Sequence, residues 1–235
     1  MEIIAHRGVH KNKGEENTIG AFNRALFLKC EMLELDCCLT NDRKLVVSHD
    51  LYFTLNDNTR VYIQQNTLKD LHSKVGAVIP LEFVLKVFMG AIKINVELKD
   101  RGCAVALHKL LEKLTAERNW STEFLKKNLI VSSFVLDEAV AFKILYPHIE
   151  TAWIVNWRQF LLTTKGAIQE NLSYFCLDAI HLHRISVSRK VVFYFKAKGF
   201  KVRVYTVNNQ DLMKKCLKWG VDGIFTDKPG EFLKA

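Results

Sequence analysis

The chain has 235 residues, with 34 Lys and Arg against 25 Asp and Glu for a formal net charge of +9. Hydrophobic residues make up 49% and charged ones 25%, a globular balance that excludes a disordered chain; 11 Gly and 3 Pro exclude collagen-like and low-complexity classes. No apolar run approaches the ~18–20 residues that span a bilayer, which excludes a chain of membrane-spanning helices.

In chain order, β-branched apolar runs predict strands at 2–7, 32–40, 92–99, 129–134, 151–155, 177–183, 201–207 and 222–227, with a further short one at 45–48. Helical spacing fills the intervals: Ile19, Phe22 and Leu26; then Ala104, Leu107, Leu111 and Leu114; then Leu212, Cys216 and Trp219. Gly90, Gly199 and Gly220 stand where helices should end, Pro80 and Pro229 where helices should begin, and Pro147 just after one. No Gly/Ser/Pro-rich linker interrupts the series. Eight strands alternating with helices imply a parallel sheet covered by helices, either an open doubly wound sheet or a closed barrel. The barrel suits this length, and no GxGxxG follows the first strand, where His6-Arg7-Gly8 stands instead. The sequence therefore predicts a single-domain (β/α)8 TIM barrel over residues 1–235.

Met1 is followed at once by Glu2 and the strand-like Ile3-Ile4-Ala5, with no basic segment and no long apolar one, so no secretory signal is expected. Cys30, Cys37, Cys38, Cys103, Cys176 and Cys216 show no CxxC spacing and read as reduced, buried thiols of a cytoplasmic protein. The positive balance admits nucleic acid, an anionic membrane or a small anionic substrate as partner. Lysines spread along helices without a block of like charge, so a solvated basic surface is expected and no nucleic-acid partner.

Polarity inside the strands is the informative deviation, because parallel strands covered on both faces should be apolar throughout. In Ile92–Lys99 the period of two places Ile92, Ile94, Val96 and Leu98 under helices, and Lys93, Asn95, Glu97 and Lys99 inside the barrel. Glu34 and Asp36 alternate in the same way with Leu33 and Leu35. Buried charges must be paired, wet or bound to a cation. Glu34, Asp36 and Glu97 are thus either ligands for a hard dication such as Mg²⁺ or Ca²⁺, or members of an internal salt-bridge network with Arg7, Lys93 and Lys99.

His6 ends the first strand and His49 ends the short run after the second, so both reach the C-terminal rim where barrel enzymes work. His181 and His183 share a strand face and either pack structurally or reach the same mouth. His10, His72, His108 and His148 are expected at the surface. Arg7 and Lys99 supply cations suited to a phosphate. No GxxxxGK[ST] phosphate loop and no GxSxG elbow occur. Two histidines, three carboxylates and two cations suit phosphoryl transfer better than acyl or hydride chemistry.

With those residues in place, the sequence resembles the glycerophosphodiester phosphodiesterase family. The matching pieces run His6-Arg7-Gly8; Glu16-Asn17-Thr18 with Ala21-Phe22; Glu34-Leu35-Asp36; Val47-Ser48-His49-Asp50; Ile79-Pro80-Leu81-Glu82; Glu97-Leu98-Lys99; Ser132-Ser133-Phe134; Tyr205-Thr206-Val207-Asn208; and Gly220-Val221-Asp222-Gly223 with Thr226-Asp227. They cover nearly the whole chain. The resemblance implies a (β/α)8 barrel that hydrolyses glycerophosphodiesters to glycerol 3-phosphate and an alcohol with Mg²⁺ or Ca²⁺. It implies Glu34, Asp36 and Glu97 as metal ligands, His6 and His49 as the acid–base pair, and Arg7 and Lys99 as phosphate-binding cations. Glu16 and Asn17 would order the loop under Arg7, Tyr205 and His181 would line the substrate pocket, and a cyclic phosphate would be the intermediate.

Three departures stand out. Tyr205 occupies a position where many members have Trp, and Leu55-Asn56-Asp57 replaces an Arg-Thr-Thr segment. Only residues 72–78 separate Leu71 from Ile79, where members carry an insertion that roofs the site. A more open leaving-group side keeps a lyso-lipid at a membrane surface as an alternative substrate, without stable membrane insertion. A non-catalytic barrel would lack a carboxylate or a histidine, and none is missing.

Overall fold

The structure, a computed structural model, describes residues 1–156, 158, 159 and 176–233. In chain order its strands are β1 (Glu2–Ala5), β2 (Met32–Leu39), β3 (Leu45–Val47), β4 (Tyr52–Thr54), β5 (Arg60–Tyr62), β6 (Lys93–Leu98), β7 (Leu129–Ser133), β8 (Glu150–Val155), β9 (Ala179–His183), β10 (Lys201–Tyr205) and β11 (Gly223–Thr226). The described helices are α1 (Ile19–Phe27), α2 (Leu68–Val75), α3 (Leu81–Phe88), α4 (Cys103–Arg118), α5 (Thr122–Asn128), α6 (Leu136–Leu145), α7 (Arg189–Ala197), α8 (Gln210–Trp219) and α9 (Pro229–Phe232).

Eight strands are parallel and closed: β1 pairs with β2 on one side and β11 on the other, and β2-β6-β7-β8-β9-β10-β11 completes the ring. The TIM-barrel expectation holds. The short run at 45–48 forms β3, an antiparallel partner of β2 outside the ring. The β4–β5 hairpin turns at Asp57-Asn58, with Asn58 at φ 65°, and was not legible in its three-residue strands.

Local chemistry places the helices. The Thr18 hydroxyl accepts from the Ala21 N–H to start α1, Thr67 and Asp70 form a reciprocal capping box on α2, and Ser188 and Asn209 cap α7 and α8. Outward strand residues such as Leu33, Leu35, Ile94 and Val96 are fully buried against Phe22, Leu85, Phe88 and Leu111. Beyond β7 the same shell continues through Val155, Leu182, Val204 and Ile224. Inside the ring, Ile4, Met32, Ile130 and Phe225 make a separate apolar plug. Polar layers lie on either side of it.

Five cysteines are buried free thiols as expected; Cys176 instead lies exposed, just before β9. No helix among the described residues is long and apolar enough to cross a membrane.

Candidate active site

The upper polar layer is built where β1, β2 and β6 end. Parallel register sets Asp36 beside Glu97 and Glu34 beside Asn95. The inward alternation then gathers Glu34, Asp36 and Glu97 so that one oxygen from each lies within 4.8 Å of the others. Arg7 follows β1 with φ 54°, and its N–H donates to Glu34 Oε2 at 2.8 Å. This turn is possible because Gly8, at φ 82°, lies so close to α1 that a Cβ would stand 2.7 Å from that of Ala21.

Ion pairs then lock the layer. Arg7 donates to Glu16 at 2.7 Å and sets its Nε 3.0 Å from Asp36 Oδ2. Asn17 clamps Asp36 from both sides, donating from Nδ2 to Oδ2 at 2.9 Å and accepting the Asp36 N–H at 3.2 Å. Lys99 Nζ donates to Glu97 at 2.6 Å and lies 3.2 Å from Asp36 Oδ1. Lys93, a candidate for this network, lies instead at the opposite end of the barrel, 3.8 Å from Glu2. As the first residue of β6 it is too early in the strand to reach the upper layer.

Charge in this cluster is not balanced. Burial opposes ionisation of Asp36, but Lys99 and Arg7 hold its carboxyl below the usual range. Glu34 and Glu97 are pushed the other way, first by burial and then by the Asp36 charge. Glu34 Oε1 is buried without a hydrogen-bond partner. An all-carboxylate oxygen set with surplus negative charge and an orphaned oxygen fits a hard dication. These three residues could hold one.

His6 follows β1 directly and lies beside Asp227, which follows β11. Its Nδ1 is 2.7 Å from Asp227 Oδ1, and Asp227 is itself held by Asn208 Nδ2 at 2.6 Å. Burial works against a charged His6 ring, but the bond to Asp227 and the nearby Glu34 raise its pKa above the ordinary histidine value. His6 and Asn208 in turn overcome burial to bring Asp227 down to about 2. His49 differs: its ring is 42% exposed, its Asp50 partner is at the surface, and burial followed by Lys99 lowers its pKa.

Both histidines line one cavity of about 210 Å³ together with Arg7, Glu34, Glu97 and Lys99. Phe134, His183 and Tyr205 form an aromatic side, with Tyr205 edge-on to both others and its hydroxyl donating to Val155 O at 3.1 Å. His181 lines the floor, 1% exposed and packed 4.8 Å from the Phe225 ring. Burial, then Arg203 below it, keeps His181 neutral. Asp36, Glu16 and Asn17 stand behind this first layer. A broader groove runs from Arg7 and His49 past Tyr52 and Phe53 to Ile79, on the side with the shortened 72–78 segment.

Asp227 and Asn208 belong to the matching motifs, but the sequence assigns them no role; closure of the ring, which pairs Ala5 with Thr226, is what brings Asp227 to His6. His10, expected at the surface, has a side chain only 7% exposed, with Nε2 3.7 Å from Asp227, because the turn after Gly8 folds it back over the rim. His108 is likewise half-buried, edge-on to Tyr146, whereas His72 and His148 are exposed.

A model of the glycerophosphoryl diester phosphodiesterase family matches residues 6–231. The chain is 31% identical over 250 residues to a glycerophosphodiester phosphodiesterase of Bacillus altitudinis, covering 99% of this chain and 97% of that protein. It is similar to the solved structure of an Oleispira antarctica phosphodiesterase in complex with its product sn-glycerol-3-phosphate, with TM-score 0.78, 25% identity, and 100% and 96% of the two chains covered. A glycerophosphodiester phosphodiesterase from Thermotoga maritima gives TM-score 0.77 at 26% identity, covering 99% and 96%. With the barrel closed and nearly every residue aligned, the chain is an enzyme of the glycerophosphoryl diester phosphodiesterase family.

Proposed function

We propose that this enzyme hydrolyses glycerophosphodiesters to glycerol 3-phosphate and an alcohol by acid–base catalysis with His6 and His49. The observation that carries the proposal is one cavity in which two histidines of opposite electrostatic setting flank a buried, charge-excess carboxylate cluster. Glu34, Asp36 and Glu97 would hold Mg²⁺ or Ca²⁺, which when bound lowers the pKa of a hydroxyl and offsets charge on phosphorus.

Arg7 and Lys99 line the cavity and bind the phosphate oxygens by charge-assisted hydrogen bonds. Tyr205 and His181 line the glycerol side, and Glu16 and Asn17 hold Arg7 and Asp36 in position. His49, whose ring is half exposed and beside Lys99, is neutral and takes the proton of the glycerol 2-hydroxyl as that oxygen attacks phosphorus. His6 keeps its imidazolium form against Asp227 and gives the Nε2 proton to the departing alkoxide, closing a cyclic glycerophosphate. Water reopens the ring with the two roles reversed. Five buried free thiols support a reducing, cytoplasmic setting.

A coupled glycerol 3-phosphate assay tests this across glycerophosphocholine, glycerophosphoethanolamine and glycerophosphoinositol, with chelation and Mg²⁺ or Ca²⁺ add-back. Turnover should vanish on chelation and return with the ion. Activity that survives thorough chelation overturns the metal role, and turnover only of lysophosphatidylcholine micelles overturns the substrate class.

A further inference from the structure

The net charge of this chain is concentrated in one quarter of the barrel. Residues 179–219, which build β9, α7, β10 and α8, contain ten of the 34 Lys and Arg but only one of the 25 Asp and Glu, Asp211. The remaining residues therefore hold 24 of each sign and are neutral, so the +9 belongs entirely to this segment. Three of its cations face inward or sideways into ion pairs: Lys196 with Asp222, Lys201 with Glu150, and Arg203 with Glu2 and Glu150. The other seven are exposed, and none has a carboxylate partner among the described residues.

Apolar side chains project among those cations. Ile185 is 73% exposed in the loop leaving β9, next to Arg184 and one turn before Arg189 and Lys190. Phe193 is 75% exposed and lies three residues after Lys190, on the same face of α7. Leu217 is 58% exposed on the neighbouring α8, between Lys214 and Lys218. The loop belongs to the active-site rim: the Ile185 N–H donates to His183 Nδ1 at 3.3 Å, and His183 lines the cavity.

We propose that this face docks on an anionic lipid surface, with Ile185 and Phe193 entering the boundary between headgroups and acyl chains. Cations around protruding Ile, Phe and Leu form the pattern that lies in a membrane interface, where each surface Lys or Arg adds attraction to anionic lipids. A nucleic acid would match the charge but leave the protruding aliphatic groups without a partner. Docking by this face brings one edge of the cavity mouth to the lipid, where a substrate still attached to, or newly released from, a bilayer is most concentrated. The binding itself does not depend on which phosphodiester is cleaved.

The test is co-sedimentation of the whole protein with phosphatidylcholine vesicles, with and without phosphatidylglycerol. Binding should require the anionic lipid and should be released on raising salt from about 0.1 M to about 1 M, where the Debye length shrinks from about 10 Å to about 3 Å. The variants I185S/F193S and R189E/K190E should each weaken binding about tenfold or more while keeping wild-type circular dichroism and wild-type turnover of a soluble glycerophosphodiester. No binding to anionic vesicles overturns the proposal. So does full binding by I185S/F193S together with competition by duplex DNA, which would mark a general polyanion site. Because sedimentation reads no turnover, a protein inactive on glycerophosphodiesters that still binds vesicles would sink only the substrate assignment.

Discussion

Two ionic layers occupy the same barrel, one on each side of the Ile4–Met32–Ile130–Phe225 plug, and they are opposite in electrostatic character. In the lower layer Arg203, 1% exposed, donates to Glu2 at 2.8 Å and also to Glu150, while Lys201 reaches Glu150 from outside. Gly223 leaves room for this pair, since a Cβ there would stand 3.2 Å from Glu2 Oε2 and 3.3 Å from Arg203 Cδ. Burial opposes the Glu150 charge, yet Arg203 and Lys201 bring its pKa down to about 2. In the upper layer, similar groups leave Glu34 and Glu97 raised and Glu34 Oε1 without a partner. A structural ion network closes its charge; a site that awaits a ligand leaves it open. Burial alone does not separate the two.

The comparison breaks first on rate. Replacing His6 or His49 with Ala should lower turnover by about 10²–10⁴, read in the glycerol 3-phosphate assay, with no comparable loss of thermal stability. Near-normal turnover in both variants would remove the upper layer's claim to chemistry. Stability gives the next largest contrast. Arg203→Met breaks the buried side of the pair with Glu150, whose side chain is 11% exposed, and also takes a partner from the less buried Glu2; it should cost about 3–5 kcal/mol. That corresponds to a fall in melting temperature of roughly 6–20 °C for a chain of this size.

The upper layer was more legible in the sequence than the lower, although the same signal, charge at alternate strand positions, marks both. Glu97 is next to last in its strand, and Glu34 and Asp36 share its inward face from β2, so charge and face agree with the end where a barrel places its chemistry. Glu2, Lys93 and Glu150 are each the first residue of a strand, at the end away from the rim; of the three, the alternation marks only Lys93 as facing inward, and Glu150 precedes the strand expected at 151–155. The convergence of Glu2 and Glu150 on Arg203 depends on closure of the ring. The His6–Asp227 contact was hidden for the same reason: 221 residues separate the pair, and only β1 lying against β11 joins them. The eight strands were legible because each carries an outward apolar face, whereas β4 and β5 have three residues each, and one buried side chain in β5, Val61, is too short a pattern to mark a strand.

Acid sharpens the difference within the lower layer. Glu150 has a folded pKa of about 2 against an ordinary 4.5, so its ion pairs contribute fully above about 4.5 and are lost as pH falls through about 2. Glu150→Gln should therefore cost about 1.5–3 kcal/mol at neutral pH, the range for hydrogen bonds to charged groups, because Arg203 retains Glu2. Urea unfolding at a series of pH values should show the gap between wild type and variant closing toward pH 2. A gap that stays constant would mean the loss is one of packing and not of charge.

The smallest effect has the opposite sign and separates the layers most cleanly. Glu34 has its folded pKa raised, so it contributes no penalty below its ordinary value, 4.5, and a growing one as pH rises above it. Glu34→Gln preserves the acceptor for the Arg7 N–H while removing the charge that burial and Asp36 oppose. In metal-free protein at neutral pH it should therefore stabilise the fold, by on the order of 1 kcal/mol, whereas every charge removal in the lower layer destabilises. Adding Mg²⁺ or Ca²⁺ should raise the melting temperature of the wild type through binding to the folded state alone, and should do so far less in the variant. A destabilised Glu34→Gln that still responds to the ion would mean that Glu34 is closed into the fold like Glu150, and the distinction between the layers would rest on Glu97 alone.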